Sequence, residues 1–178
     1  MTPETITIDE SGMTFGPYPS GHCFHIEKSA LYTDIRQGVK MAEFLLLHAD
    51  RDRPTMLWVV EAKSSSPRPK NDPGFGQFIM EIREKWINAL SLVLASRLGR
   101  HRQAGTDLPE SFKTFDLSRF DVRFVLVING HREDWLPPIR DALQKSLRPL
   151  VRTWNFAPTS IAVLNDELAV KHHLISRT

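Results

Sequence analysis

Residues 55–63, TMLWVVEAK, decide the fold, and they read together with residues 41–48, MAEFLLLH, just upstream. Residues 39–48 and 55–61 are near-continuous apolar runs, the pattern of strands buried on both faces. Into these runs the chain sets Glu43, Glu61 and Lys63. Charges at the ends of buried strands are costly unless they meet a partner or a metal. The intervening residues 49–54, ADRDRP, are polar and end in proline, as a hairpin connection would. Alternation along a strand sends Glu61 and Lys63 to one face and Val60 and Ala62 to the other. Two hairpin registers, Glu43 opposite Glu61 or Glu43 opposite Lys63, gather all three charges on one face at one end. A slip of one residue between them sends Glu43 to the other face, and sequence does not choose.

Outward from this pair, residues 5–8 and 13–15 read as two short strands around a Glu10-Ser11-Gly12 turn, and 16–22 as punctuation. Residues 23–28 alternate like a strand, 29–36 suit a short helix, and Glu27 falls where either could hold it. Residues 64–76 form a loop rich in Ser and Pro. Phe78, Ile79, Ile82, Trp86, Leu90, Val93 and Leu94 recur at helical spacing, and Gly99 stands where a C-cap would. Residues 100–118 are weakly patterned, a mobile excursion. A third strand is expected at 122–128, then a helix opened by Pro137-Pro138 and ended or kinked by Pro149. A strand at 160–164 and a helix capped by Asn165 or Asp166, running to His173, complete an α/β sandwich.

The 178 residues suit one domain: a strand pair at 1–20, a core at 23–130 and a helix-strand-helix extension at 131–178. The composition, 41% hydrophobic and 25% charged, is that of an ordinary globular protein. The lone Cys23 excludes an internal disulfide framework and fits a reducing compartment. No signal-peptide pattern opens the sequence and no run has the length of a membrane span, so a cytoplasmic protein is expected. The net charge of +2 is compatible with a nucleic-acid partner without arguing for one.

Two carboxylates and a lysine at one sheet edge suit metal-dependent cleavage of a phosphodiester. Magnesium prefers hard oxygen ligands and keeps several waters, so Glu43 and Glu61 with a substrate phosphate suffice. The metal polarises the phosphoryl oxygen and acidifies a bound water, while Lys63 positions or deprotonates that water and balances developing charge. Glu43 followed by Glu61-Ala62-Lys63 after an apolar strand resembles the PD-(D/E)xK nuclease superfamily, over residues 27–98 and more loosely the strand at 122. That resemblance implies a restriction-endonuclease-like three-layer α/β sandwich, a central mixed sheet flanked by helices. It implies Mg2+, with Mn2+ as a substitute, held by Glu43, Glu61 and the Ala62 carbonyl, and Lys63 orienting the attacking water. Gln77, near the start of the following helix, and Glu27 upstream match positions that support the ligands in some branches. Ala42-Glu43 departs from the usual Pro-Asp of the motif.

Arg68 and Lys70 lie just past the motif, where phosphate contacts position a strand; a solvated loop is the equal alternative. With no separate DNA-reading module, a nuclease this small needs a homodimer, a partner subunit or structure-specific recognition of DNA. The competing class is a non-catalytic nuclease-like domain, binding nucleic acid or protein. Carboxylate oxygens converging on an open pocket favour the enzyme; Lys63 bonded directly to Glu43 or Glu61 favours a structural ion pair. Other signals are bland. Arg97, Arg100, His101 and Arg102 satisfy a helix end, His22-Cys23 with His25 match no zinc spacing, and Gly74-Phe75-Gly76 is a hinge rather than a phosphate cradle. Trp58 and Trp86 belong to the core, and Trp135 and Trp154 flank a helix.

Overall fold

The computed structural model describes residues 4–48, 54–102 and 104–176. The expected hairpin connection at 49–54 lies outside them except for Pro54. β1 (Thr5–Glu10) and β2 (Met13–Pro19) form an antiparallel pair. Its turn is made at Ser11 and Gly12, both with positive φ. The strand β2 runs through to Pro19, so residues 16–19 are ladder, not punctuation. The main sheet has five strands in the order β3 (Cys23–Phe24), β4 (Phe44–His48), β5 (Thr55–Lys63), β6 (Phe120–Ile128) and β7 (Ile161–Asn165). The first three run antiparallel, and β5, β6 and β7 run parallel. Parallel neighbours need a crossover, and the two long helices supply it.

The two strands before β5 are shorter than expected. β4 begins at Phe44, although Glu43 still donates its N–H to the Val60 carbonyl, and the residues before Glu43 link it to α1 (Ala30–Ile35). Similarly, β3 spans two residues, and Ile26–Lys28 close a 3-10 turn that carries Glu27. Ser29 caps α1 by accepting from the Tyr32 N–H.

Between β5 and β6 runs α2 (Gly74–Arg97), whose Ile79, Ile82, Trp86, Ala89 and Val93 pack on one face of the sheet. Gly74-Phe75-Gly76 is its first turn rather than a hinge. Gly99, with φ +70, lets the chain turn away at the other end. Residues 100–118 are not an excursion: α3 (Ala104–Asp107) and α4 (Glu110–Thr114) bury Leu108, Phe112 and Phe115. Arg97 holds this segment by donating to the Phe112 and Phe115 carbonyls. The scattered apolar residues there serve packing without helical or strand period, which hid them.

The second crossover, α5 (Leu136–Trp154), seats Ile139, Leu143 and Leu147 beside α2. It passes through Pro149 without ending, because Pro149 and Lys145 are exposed and only a solvent-side backbone bond is forfeited. The opposite face of the sheet is covered by the β1–β2 pair and by α6 (Asp166–Lys171), which Asn165 caps and which stops short of His173. Because β7 pairs with β6, residues 131–176 complete the main sheet rather than extend it. Among the described residues no helix is long and apolar enough to cross a membrane. Trp58 is only half-buried, under the Arg123 guanidinium.

Trp86 is fully buried against Phe124, with ring centres 5.5 Å apart and an indole N–H that finds no partner among the described residues. Trp86→Ala should cost about 3–5 kcal/mol through the cavity it leaves. Trp86→Phe should cost well under half of that, because it also deletes the unsatisfied donor. Urea unfolding of the two variants checks the contrast; equal losses would refute it.

Candidate functional site

The register of the β4–β5 hairpin pairs Phe44 with Val60 and Leu45 with Val59. One step further, Glu43 stands across from Glu61, and its N–H donates to the Val60 carbonyl. Of the two open registers this is the first. Leu57 and Val59 belong to the apolar cluster beneath α2, so Glu61 and Lys63, in step with them, face α2 as well. Trp58, Val60 and Ala62 face the β1–β2 side. Ala62 is buried inside the sheet, its backbone alongside Val127 of β6.

The helix α2 answers this edge with two charges. Lys85 Nζ lies 2.8 Å from Glu61 Oε1 and 3.7 Å from Glu43 Oε1. Lys63 Nζ lies 3.1 Å from Glu61 Oε1 and donates to Glu81 Oε1 at 3.2 Å. Glu61 is 0% and Glu43 5% exposed, whereas Lys63 sits nearer the rim with a quarter of its side chain open. On the far side of Glu43, carboxyl oxygens of Glu10, Glu27 and Glu43 all lie within 4.8 Å of one another. Glu43, Glu61 and Glu81 thus share two ammoniums while Glu10 and Glu27 stand beyond Glu43, and Lys28 reaches Glu27 only at 3.9 Å.

The surplus shows in the titration of these groups. Burial, then a hydrogen bond shared with Glu27 and the charge of Glu61, push Glu43 up from 4.5 to about 9. Burial also raises Glu61, and Lys85 and Lys63 pull it back without cancelling the effect. Burial works against the Lys85 ammonium, but Glu61 first and then Glu43 and Glu27 outweigh it and hold the lysine charged. At the rim, Lys63 outweighs burial and lowers Glu81. Two acceptors stay unmatched: Glu43 Oε2 and Glu61 Oε2 are buried with no hydrogen-bond donor among the described residues.

Of the residues singled out in the sequence, Glu27, Glu43, Glu61 and Lys63 come together. Gln77 does not join them: it is exposed in the first turn of α2, and no side-chain hydrogen bond ties it to the carboxylates. Its place is taken by Glu81 and Lys85, four and eight residues on along the same helix stripe. The i, i+4 pair Glu81 and Lys85 beside the apolar Ile82 and Trp86 was the available signal, and it reads equally well as a solvated face. Glu10 had no local signal, because the β1–β2 pair brings it in from the far end of the fold. Arg68 and Lys70 lie in the loop after β5, beside Trp135 and His131.

Glu43 holds its proton up to about pH 9 when folded but releases it near 4.5 when free. Between those values the folded state binds more protons than the unfolded one, so this group makes stability fall as pH rises through the window. Glu43→Gln removes that slope. Its urea midpoint should gain on wild type from about pH 5 to about pH 8; parallel pH curves would show that Glu43 carries no buried proton.

No known protein family, curated protein or solved structure matches this chain. What the site does therefore rests on its own distances and charges.

Proposed function

We propose that this chain is a metal-dependent nuclease that hydrolyses nucleic-acid phosphodiester bonds, with DNA as its substrate. The observation that carries this reading is the surplus of buried carboxyl oxygen at the end of β5. A structural ion pair is stable when each charge and lone pair is matched. Among the described residues Glu43 Oε2 and Glu61 Oε2 have no hydrogen-bond partner, and burial with the neighbouring Glu27 and Glu61 pushes Glu43 up to about 9. The strand order supports the same reading. An antiparallel β3–β4–β5, a crossover helix and a parallel β6 put Glu43 opposite Glu61 with Lys63 two residues on, the arrangement that resemblance to the PD-(D/E)xK superfamily implies.

The donor set fits a hard divalent cation: oxygen only, negatively charged, partly unsatisfied. Glu43 and Glu61 would hold it, with Glu27 and Glu10 on the outer side of Glu43. When bound, magnesium, or manganese in its place, supplies a Lewis acid for the phosphoryl oxygen and a more acidic water. Lys63 holds an ammonium at the open rim, where it orients a water and offsets charge developing on the phosphate. Lys85, buried deeper, neutralises Glu61 and keeps the carboxylates from repelling one another.

A second reading has an observation of its own. Lys63 bonds directly to Glu61, and Lys85 stands between Glu61 and Glu43, which is how a closed structural network is built. On that reading the chain is a non-catalytic nuclease-like domain that binds nucleic acid or a protein partner.

Magnesium titration by calorimetry, paired with cleavage of single- and double-stranded DNA, separates the two. Wild type should bind the ion more tightly as pH rises toward 9, because Glu43 must give up its proton. Glu61→Gln should lose binding, and both Glu61→Gln and Lys63→Ala should lose cleavage by about 100-fold or more with the fold retained. Cleavage that survives in either variant sinks the nuclease assignment. No ion binding together with no cleavage leaves the non-catalytic domain.

A further inference from the structure

A second feature opens at the same carboxyl end of the sheet, on the α5 side. The loop after β5 and the 3-10 turn Glu133–Trp135 after β6 enclose a cavity of about 270 Å³, lined by Ser66, Arg68, Lys70, His131, Trp135 and Ile139. That is near the lower bound of about 300 Å³ for ligand sites, right for one ring system and too small for a length of chain. Its wall is aromatic. The Trp135 indole is 36% exposed, and the His131 ring meets it edge-on with centres 5.2 Å apart. Ser66 Oγ and His131 Nε2 are 3.0 Å apart, so two groups that donate or accept sit at the mouth. The turn is anchored from below, where Asn165 Nδ2 donates to the His131 carbonyl.

The cavity lining carries two cations, Arg68 and Lys70, and one carboxylate, Asp134, which a neighbouring arginine offsets. The Arg132 guanidinium lies 5.4 Å from the Trp135 ring centre, but Asp134 grips it with two hydrogen bonds of 3.0 Å. Arg68 lies 4.9 Å from the same ring and makes no ion pair among the described residues, and neither does Lys70. An aromatic wall now covered by the Arg68 guanidinium, hydrogen-bonding groups beside it and two cations, Arg68 and Lys70, without an ion pair among the described residues match the parts of a nucleotide. A base has a face to stack and an edge to bond, and its phosphate needs a cation. Inside a duplex a base has its edge paired and its faces stacked on its neighbours, so the site selects bases that are unpaired and unstacked.

We propose that this cavity receives an unpaired base of single-stranded DNA, stacked on Trp135 with its edge toward Ser66 and His131 and its phosphate on Arg68 and Lys70. The inference rests on the nuclease reading for its consequence: the substrate is single-stranded, or is opened at the point of cleavage. Burial lowers the pKa of His131, which favours the neutral imidazole, whose Nε2 already bonds Ser66 Oγ. The loop that carries Arg68 leaves β5 directly after Lys63, which ties the cavity to the carboxylate site by a few residues of chain.

The test uses the full chain, a fluorescent oligodeoxythymidine of about twelve nucleotides and anisotropy in EDTA, where no metal-dependent cleavage intervenes. Trp135→Ala should weaken binding about tenfold, and Trp135→Phe, which keeps a stacking face, should stay within about threefold of wild type. Arg68→Ala should weaken binding and flatten its salt dependence. Binding by Trp135→Ala equal to wild type, no binding by wild type, or equal competition from a blunt duplex would each overturn the proposal. Its failure is separable from that of the nuclease reading. Magnesium binding by wild type reads the carboxylate site alone, and oligonucleotide binding in EDTA reads the cavity alone.

Discussion

The buried ammonium of Lys85 is the constraint on which the rest of this edge depends. It sits 2.8 Å from a carboxylate with no solvent exposure and 3.7 Å from a second one across the hairpin. Remove its charge and the Glu61 carboxylate is left in a poorly polarisable interior beside a Glu43 that already needs a proton to stay buried. α2 is seated by the close packing of Ile79, Ile82, Trp86, Ala89 and Val93, and the Lys85 contact adds a directional bond to that packing. Asn88 donating to the Lys40 carbonyl and Lys40 meeting Glu84 hold the outer side of the helix to the segment that delivers Glu43.

From that pinned helix the geometry at the sheet edge follows. β5 is the pivot between an antiparallel half and a parallel half, so its carboxyl end has the hairpin on one side and a crossover on the other. Chain leaving β5 and β6 at this end is free of the ladder, and it builds both the rim at Lys63 and the cavity beside Trp135. Ligand sites at the carboxyl ends of parallel strands recur in open α/β sheets for this reason: the loops there answer to no hydrogen-bond ladder. Asn129 links the two covers of the edge, its N–H donating to the Lys63 carbonyl and its side chain to Ser11 in the β1–β2 turn.

Much of the scaffold was legible because strands buried on both faces have an unmistakable composition. VVEA and VRFVLVI read as β5 and β6, and the 3.6-residue spacing of Ile79, Ile82 and Trp86 as α2. The trio Glu43, Glu61 and Lys63 was legible for the same reason, since charge stands out in an apolar run. What escaped lies where tertiary contact overrides local pattern. Lys85 on a mixed helix looks like any solvated lysine until the sheet beneath it is known. Glu10 arrives from a separate hairpin, and Phe112 and Phe115 pack from a segment with no periodicity. Gln77 was placed by analogy with other proteins, and here the helix starts early enough to leave it one turn outside.

The surplus of carboxyl groups has a physical cost that the fold alone does not explain. Replacing a buried ion-pair network by apolar residues of similar volume is often neutral or stabilising, so a network is poor evidence of a need for stability. This one is worse than neutral in design, since it brings Glu10 and Glu27 toward a Glu43 that must take up a proton to stay buried. Glutamine at any of these positions would keep the hydrogen bonding and remove the repulsion. On the metal-dependent reading proposed above, a divalent cation would relieve in one step the crowding that a proton and Lys85 relieve in part. The same lysines that make the network look closed are what permits Glu43, Glu61 and Glu81 to stand together, which is why the closed network and the proposed metal site share one set of contacts.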